Sequence, residues 1–129
     1  YAAVRAGNIL AKLAERDRID EAGVVARLPS LGRGPIDTGD EADELWGLVL
    51  EAARLDEIVD SSIRSLELSG LAKYAFGLAQ SFNAFYHRQP IVQEPDAETR
   101  NRRLAVARIF RREMSSLLGL LGIPEPGRM

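Results

Sequence analysis

Apolar residues recur three or four positions apart along most of this chain, and no stretch alternates apolar with polar residues as a β-strand would. The first helical segment is predicted over about Tyr1 to Arg16, where one face contains Ala2, Ala6, Ile9 and Leu13. The chain therefore begins as an amphipathic helix. A short helix is predicted to follow near Asp20 to Arg27.

A loop and a second long helix are predicted next. The stretch "PSLGRGPIDTG", Pro29 to Gly39, contains two prolines and three glycines, which interrupt helices and favour turns. Thr38 or Asp40 then opens a helix that runs through Arg54. Acidic residues in the first turn of this helix suit the positive end of its dipole.

Two further helices are predicted before residue 90. Asp56 is expected to cap the third helix. The residues predicted to face inward from it are Ile58, Val59, Ile63 and Leu66. Ser69 is expected to cap the fourth helix, which extends to Tyr86. The apolar face of the fourth helix contains Leu71, Tyr74, Ala75, Leu78, Phe82 and Phe85.

The last helix is the longest. Pro90 and Pro95 bracket the loop before it, and the helix is predicted from about Ala97 to Leu121. It stops at Gly122, and prolines follow beyond that glycine. The pattern as a whole predicts an all-α bundle of about five helices.

Composition is that of one globular domain spanning residues 1–129. Hydrophobic residues make up 46% of the chain and charged residues 28%, which excludes wholesale disorder. The absence of cysteine excludes disulfides, and a single histidine argues against a zinc site. No apolar run reaches the ~20 residues of a membrane span, so a cytoplasmic protein is predicted. Because the chain begins with Tyr1 rather than methionine, we expect a fragment of a longer protein.

The charges are unevenly distributed. Between Asp17 and Glu67 there are 13 acidic and 5 basic residues, whereas the stretch from Phe85 to Met129 has 8 arginines and 5 acidic residues. A basic final third on a protein with a net charge of −2 indicates either a local anionic partner or ordinary surface charge.

No arrangement of residues indicates catalysis or metal binding. The "GRG" at 32–34 lacks the strand and helix of a nucleotide-binding loop, so it is interpreted as a turn. The acidic residues between Asp37 and Glu44 do not have calcium-loop spacing. No serine or lysine has a visible acid or base partner. We therefore expect no catalytic or metal-binding residue in this chain.

The last helix has two distinct faces. At 100° per residue, its apolar arc contains Val106, Ala107, Phe110, Met114, Leu117, Leu118 and Leu121. The opposite side contains Asn101, Arg108, Arg112 and Ser115, with Arg111 at its edge. Either this side is a solvated face, or its guanidinium groups contact phosphates, whose oxygens they suit.

The stretch "FNAFYHRQPIV", residues 82–92, concentrates aromatic and cationic side chains at the end of the fourth helix. Phe82 and Phe85 are predicted to lie in the core. Tyr86, His87 and Arg88 are either an ordinary helix end with cations near the negative dipole, or a platform that stacks and hydrogen-bonds unpaired bases.

The order of three segments resembles a known family. "YAAVRAGNIL" is similar to the "YAxxR" helix that opens the C-terminal anticodon-binding domain of arginyl-tRNA synthetases. "LAKYAFGLAQSFNAFYHRQPIV" is similar to that family's "LAxYLxxLAxxFxxFYxxxxVL", and the final segment, "NRRLAVARIFRREMSSLLGLLGIPEPGRM", is similar to its last helix and "LLGIxxPERM" ending. Together these stretches span the chain from Tyr1 to Met129.

The resemblance implies a five-helix anticodon-binding bundle of the kind shared by several class I synthetases. In that family two tyrosines and the C-terminal methionine surround the anticodon, and the matching positions here are Tyr1, Tyr86 and Met129. The further residues expected to bind tRNA are Arg5, His87, Arg88, Arg108, Arg111 and Arg112. The middle base of an arginine anticodon is typically cytosine, as the codon family implies.

The resemblance also implies what the longer protein does. The parent would attach arginine to its tRNA with ATP and magnesium. The class I signatures "HIGH" and "KMSKS" are absent here, so the catalytic site is expected in another domain of the same polypeptide. The expected partners are the tRNA for arginine and that catalytic domain, with no membrane. A monomer is expected.

Two positions depart from the family pattern: Ala3 replaces the histidine of "YAHAR", and Gly127 replaces the glutamate of "PERM". Two alternatives stay open. The chain could be a helical protein-interaction module that has lost RNA binding, or the related anticodon domain of another synthetase, such as the glycyl enzyme's tRNA-binding subunit.

Overall fold

The computed structural model describes residues 1–17, 22, 23, 26 and 39–124. Five helices lie entirely within these residues, residues 22, 23 and 26 are also helical, and no described residue is in a strand. The helices are α1 (Ala2–Asp17), α2 (Asp40–Ala52), α3 (Leu55–Ser65), α4 (Ser69–Arg88) and α5 (Ala97–Leu120). The predicted all-α bundle is confirmed. Most of the predicted helix at 20–27, and the loop at 29–39 except Gly39, lie outside the described residues.

Helix α5 is the central element of the bundle. It packs against α1, α2 and α4, while α3 packs mainly against α4. The rings of Phe82 and Phe110 stack at the α4–α5 contact with centroids 4.0 Å apart and planes 5° apart. Leu13 of α1 and Leu48 of α2 join them in one buried cluster. The apolar faces predicted for the first, fourth and fifth helices are therefore confirmed.

Two of the four inward positions predicted for α3 are wrong. Ile58 and Val59 pack against the core, but Ile63 is 65% exposed and Leu66 is 90% exposed. Ser62 takes the buried place that Ile63 was expected to fill. Leu66 lies beyond the end of the helix, where its left-handed backbone (φ 55°) turns the side chain off the helical face.

Both side-chain caps predicted for α3 and α4 are wrong. Helix α3 already begins at Leu55, so Asp56 lies in its first turn and the capping position is Arg54. Ser69 is the first residue of α4 and Leu68 precedes it, with no side-chain cap bond at either helix. Capping instead occurs at α5, where the Asp96 carboxylate accepts a hydrogen bond from the Thr99 amide at 2.7 Å.

The ends of two helices are closed by identifiable hydrogen bonds. After α5, Gly122 adopts a left-handed φ of 69°, and the Ile123 amide donates to the Leu118 carbonyl at 2.9 Å. Gly122 was predicted to stop this helix, which is confirmed. At the end of α2, the Tyr74 hydroxyl of α4 lies 2.6 Å from the Glu51 carbonyl oxygen, to which it donates.

Candidate functional site

A cleft of about 710 Å³ opens between α1, the C-terminal half of α4 and the loop at 89–96. Its lining residues are Arg5, Lys12, Asn83, Ala84, Tyr86, His87, Pro90, Val92 and Gln93. The lining therefore combines three basic side chains, an aromatic ring and two carboxamides. We call this feature the cleft.

Helical periodicity explains why α4 contributes to both the core and the cleft. Phe82 and Phe85 face the core and are buried. Asn83 and Tyr86 are three residues apart, so they lie on the same side of the helix, and both line the cleft. The aromatic run singled out in the sequence thus belongs to two different environments.

Arg5 connects the two helices at the cleft. Its Nη1 donates to the Asn83 side-chain oxygen at 2.9 Å, and its Nη2 donates to the Tyr1 hydroxyl at 2.5 Å. The guanidinium carbon lies 4.4 Å from the centroid of the Tyr1 ring and 5.7 Å from that of the Tyr86 ring. Both distances are within the range of cation–π attraction.

The loop that closes one side of the cleft is held by arginines from two helices. Arg16 of α1 donates to the Val92 carbonyl oxygen at 2.7 Å. Arg103 of α5, only 6% exposed, donates to the Pro90 carbonyl oxygen at 3.1 Å. It also bonds the carboxylates of Glu94 at 2.7 Å and Glu41 at 3.4 Å. These bonds fix the backbone of a segment that has no regular secondary structure of its own.

The cleft has a positive character. Arg5 and Lys12 line it, and no carboxylate lines it among the described residues. The hydrogen bonds of the Arg5 guanidinium go to neutral partners, so its charge is not cancelled by those bonds. A ring that can stack, carboxamides that can hydrogen-bond and cations that attract phosphate are the side chains suited to an unpaired nucleotide.

The arginines predicted on α5 lie outside this cleft. Arg111 is exposed beside α1, where a Cβ on Gly7 would be 3.6 Å from its Nε. Arg112 is exposed and bonds the neighbouring Glu113 carboxylate at 2.7 Å. Arg108 is half-buried. These three residues form what we call the arginine stripe, a surface separate from the lining of the cleft.

Of the remaining predicted site residues, Tyr86 and His87 line the cleft, and Tyr1 contacts it through Arg5. Arg88 is not in the lining, because its guanidinium pairs with the Glu44 carboxylate of α2. Met129 lies outside the described residues. The binding role of each of these residues stays a prediction.

Asn83 and Lys12 were not singled out from the sequence. Asn83 stands between two buried aromatic residues, and its contact with Arg5 joins positions 78 apart in the chain. The only local signal was its spacing of three from Tyr86. Lys12 lies seven positions after Arg5, which is two helical turns along the same face of α1.

Among the residues that the structure describes, no group of three or more histidine, cysteine, aspartate or glutamate residues is arranged to hold a metal ion. None of the helices in this part of the chain is long and apolar enough to cross a membrane.

Comparison with known proteins gives a family and several relatives. The model of the DALR anticodon-binding domain family matches residues 1–129. An arginine–tRNA ligase of Methanothrix thermoacetophila is 33% identical over 129 residues, which is 100% of this chain and 20% of that protein. One of Maricaulis maris is 33% identical, again over 100% of this chain and 19% of the relative.

A third relative, the arginine–tRNA ligase of Ignicoccus hospitalis, is 33% identical over 69% of this chain and 14% of its own length. No solved structure shows a significant match to the chain. The chain thus spans about a fifth or less of the length of these curated relatives.

Proposed function

The chain belongs to the DALR anticodon-binding domain family, and we propose that its cleft binds the unpaired anticodon bases of a tRNA. The single observation that carries this proposal is the placement of Tyr86, Lys12 and His87 around a cleft that no carboxylate lines among the described residues. A base stacked on the Tyr86 ring would bring its phosphates toward the cationic side chains.

The rest of the parent protein is part of the same proposal. The three relatives named above are arginine–tRNA ligases and are far longer than this chain. We infer that the parent attaches arginine to its tRNA with ATP and magnesium, in a catalytic domain outside these residues, and that it acts in the cytoplasm. The names of the relatives favour this assignment over the glycyl enzyme.

Each side of the cleft has a distinct role in this proposal. Tyr86 supplies the stacking face, Lys12 attracts the backbone of the anticodon loop, and His87 offers ring nitrogens for hydrogen bonds. Arg5 holds Tyr1 and Asn83 in place from the α1 side. By the family resemblance, Met129 adds apolar packing. The arginine stripe contacts phosphates outside the anticodon.

The test is a binding titration of the 129-residue chain with an arginine tRNA and with the same tRNA carrying a changed middle anticodon base. Loss of one stacking ring costs roughly 1–3 kcal/mol per base. Tyr86→Ala should therefore weaken binding to the arginine tRNA much more than to the changed tRNA. Phe76→Ala is the matched control, because Phe76 is an aromatic residue of the same helix, is 66% exposed and is not part of the cleft.

Equal losses of affinity for both tRNAs in Tyr86→Ala would contradict base recognition and leave only a structural role for the ring. A chain that binds neither tRNA would contradict the proposed function as a whole.

A protein-interaction module is the second candidate, and one observation favours it. Ile63, Leu66 and Leu68 are all more than half exposed around the turn between α3 and α4. An apolar cluster of this kind is a possible protein contact. The tRNA titration separates the two candidates, because a module that has lost RNA binding would bind neither tRNA. If the cleft binds RNA, Leu66→Ser should leave that binding unchanged, since Leu66 is not among the residues that line the cleft.

A further inference from the structure

We propose that Asn83 selects the base in the cleft by donating a hydrogen bond to it, and that Arg5 fixes the orientation of the Asn83 amide. The base selected is one whose edge facing Asn83 presents an acceptor nitrogen, as cytosine does with its N3. This inference rests on the proposed function, because it assumes that an unpaired base occupies the cleft.

The orientation of the amide follows from the chemistry of arginine. A guanidinium group has only donors, so the Asn83 atom that lies 2.9 Å from Arg5 Nη1 must be the oxygen. The Asn83 Nδ2 therefore points away from the guanidinium nitrogen that holds the oxygen. No described residue accepts a hydrogen bond from this Nδ2. Within the described part of the chain, both N–H donors of the amide can therefore be offered to a ligand.

Arg5 is itself held from more than one side. Its second terminal nitrogen donates to the Tyr1 hydroxyl, and its plane lies near the Tyr1 and Tyr86 rings. With both ends of the guanidinium fork engaged, rotation of the Asn83 amide by half a turn would place its NH₂ group against the Arg5 donors. That arrangement is repulsive, so the donor orientation of Asn83 is the stable one.

A fixed donor distinguishes two pyrimidines of nearly the same shape. Cytosine has an unprotonated N3 that accepts a hydrogen bond, whereas uracil has an N3–H group at the same position. Tyr86 lies about one helical turn from Asn83. When a cytosine stacks on the Tyr86 ring, an N–H of the Asn83 amide directed at its N3 forms a hydrogen bond. The same N–H would meet the N–H of uracil and leave both donors unpaired.

The experiment measures binding of the 129-residue chain to two RNA hairpins with the anticodon loop of an arginine tRNA, one with cytosine at the middle position and one with uracil. The unaltered chain should prefer cytosine by about tenfold, the order of one hydrogen bond that only one base can make. Asn83→Asp retains an oxygen for Arg5 but offers only acceptors to the base. Uracil N3–H can donate to such an acceptor and cytosine N3 cannot, so the cytosine preference should be lost or shift toward uracil.

A matched control separates this effect from the added negative charge. Asn101→Asp makes the same substitution on α5, outside the lining of the cleft. It should lower the affinity for both hairpins by the same factor and leave the preference unchanged. Arg5→Lys retains the charge but loses the fork, so it should reduce the preference for cytosine while the melting temperature changes little.

The possible results separate the inference from the function on which it rests. If Asn83→Asp keeps the cytosine preference while Tyr86→Ala still weakens binding, the role of Asn83 is overturned and the proposed function stands. If neither hairpin binds the unaltered chain, both are overturned. Asn83→Ala, which removes the amide completely, should also abolish the preference and serves if the aspartate variant fails to fold.

Discussion

Arg103 and Arg5 are both held by residues distant in the sequence, yet their surroundings differ. Arg103 is 6% exposed and bonds the carboxylates of Glu94 and Glu41 behind the loop at 89–96. Arg5 lies at the open cleft and bonds the neutral Asn83 amide and the Tyr1 hydroxyl. The charge of Arg103 is neutralised within the fold, whereas that of Arg5 stays available to an anionic ligand. The comparison separates an arginine that stabilises the structure from one suited to binding.

The largest effect is expected at Arg103. Arg103→Met would leave the Glu94 carboxylate, 18% exposed, without its cationic partner, although the Asp96 amide would still donate to it. Breaking a buried pair in this way costs about 3–5 kcal/mol. Urea denaturation followed by circular dichroism measures this loss. Arg112→Met is the control, because Arg112 is 76% exposed and an exposed pair contributes at most about 1 kcal/mol. Similar stability of the two variants would show that Arg103 is not a structural anchor.

Arg5→Met should show the opposite pattern, with a small loss of stability and a large loss of RNA affinity. The substitution keeps a long apolar side chain on α1 but removes the hydrogen bonds to Asn83 and Tyr1. We expect arginine-tRNA binding to weaken by about tenfold or more, which corresponds to at least ~1.4 kcal/mol. Titration and denaturation are measured on the same preparation. A fall in stability with unchanged affinity would show that Arg5 supports the fold, as Arg103 does, and does not serve binding.

The arginine stripe allows a milder test of whether basic side chains outside the cleft contact phosphate. If Arg108, Arg111 or Arg112 contacts phosphate, replacing one of them with alanine should weaken tRNA binding modestly. The slope of log affinity against log salt concentration should also become less steep, by the contribution of about one phosphate contact. Binding is measured at several salt concentrations. An unchanged slope in all three variants would show that the stripe is only a solvated face.

The smallest effect concerns Tyr74, whose hydroxyl is used structurally like Arg103. Burial, followed by the nearby carboxylates of Glu113 and Glu51, raises the pKa of Tyr74 to about 12. Since the pKa of an unfolded tyrosine is about 10, the folded chain retains this proton to higher pH. The free energy of unfolding should therefore be unaffected by this group below pH 10 and fall as the pH rises from about 10 to about 12.

Tyr74→Phe should remove both this alkaline decline and the late-titrating fraction of the tyrosinate absorbance. Denaturation at pH 9 and at pH 11 compares the two chains, and common titrations of other groups cancel in the difference. Identical pH dependence of both chains would contradict the raised pKa.

Much of the fold followed from local pattern. The inward faces of α1, α4 and α5 and the stop at Gly122 were predicted, because helical periodicity and the left-handed conformation favoured by glycine depend on neighbours in the sequence. The error at Leu66 also has a local origin, because the helix ends at Ser65 and Leu66 leaves the helical phase. Ile63 lies within α3 and is nevertheless 65% exposed, which its helical phase did not predict.

The sequence by itself determined that this chain is helical, that aromatic and basic residues gather at the end of α4, and which family it resembles. Only the tertiary structure decided how those residues are used. The Arg5–Asn83 bond joins residues 78 positions apart, and Arg103 meets Glu41 across 62 positions. Whether an arginine is neutralised or left to bind depends on which partners the folded chain brings to it, and such long-range partners leave no periodic signal in the sequence.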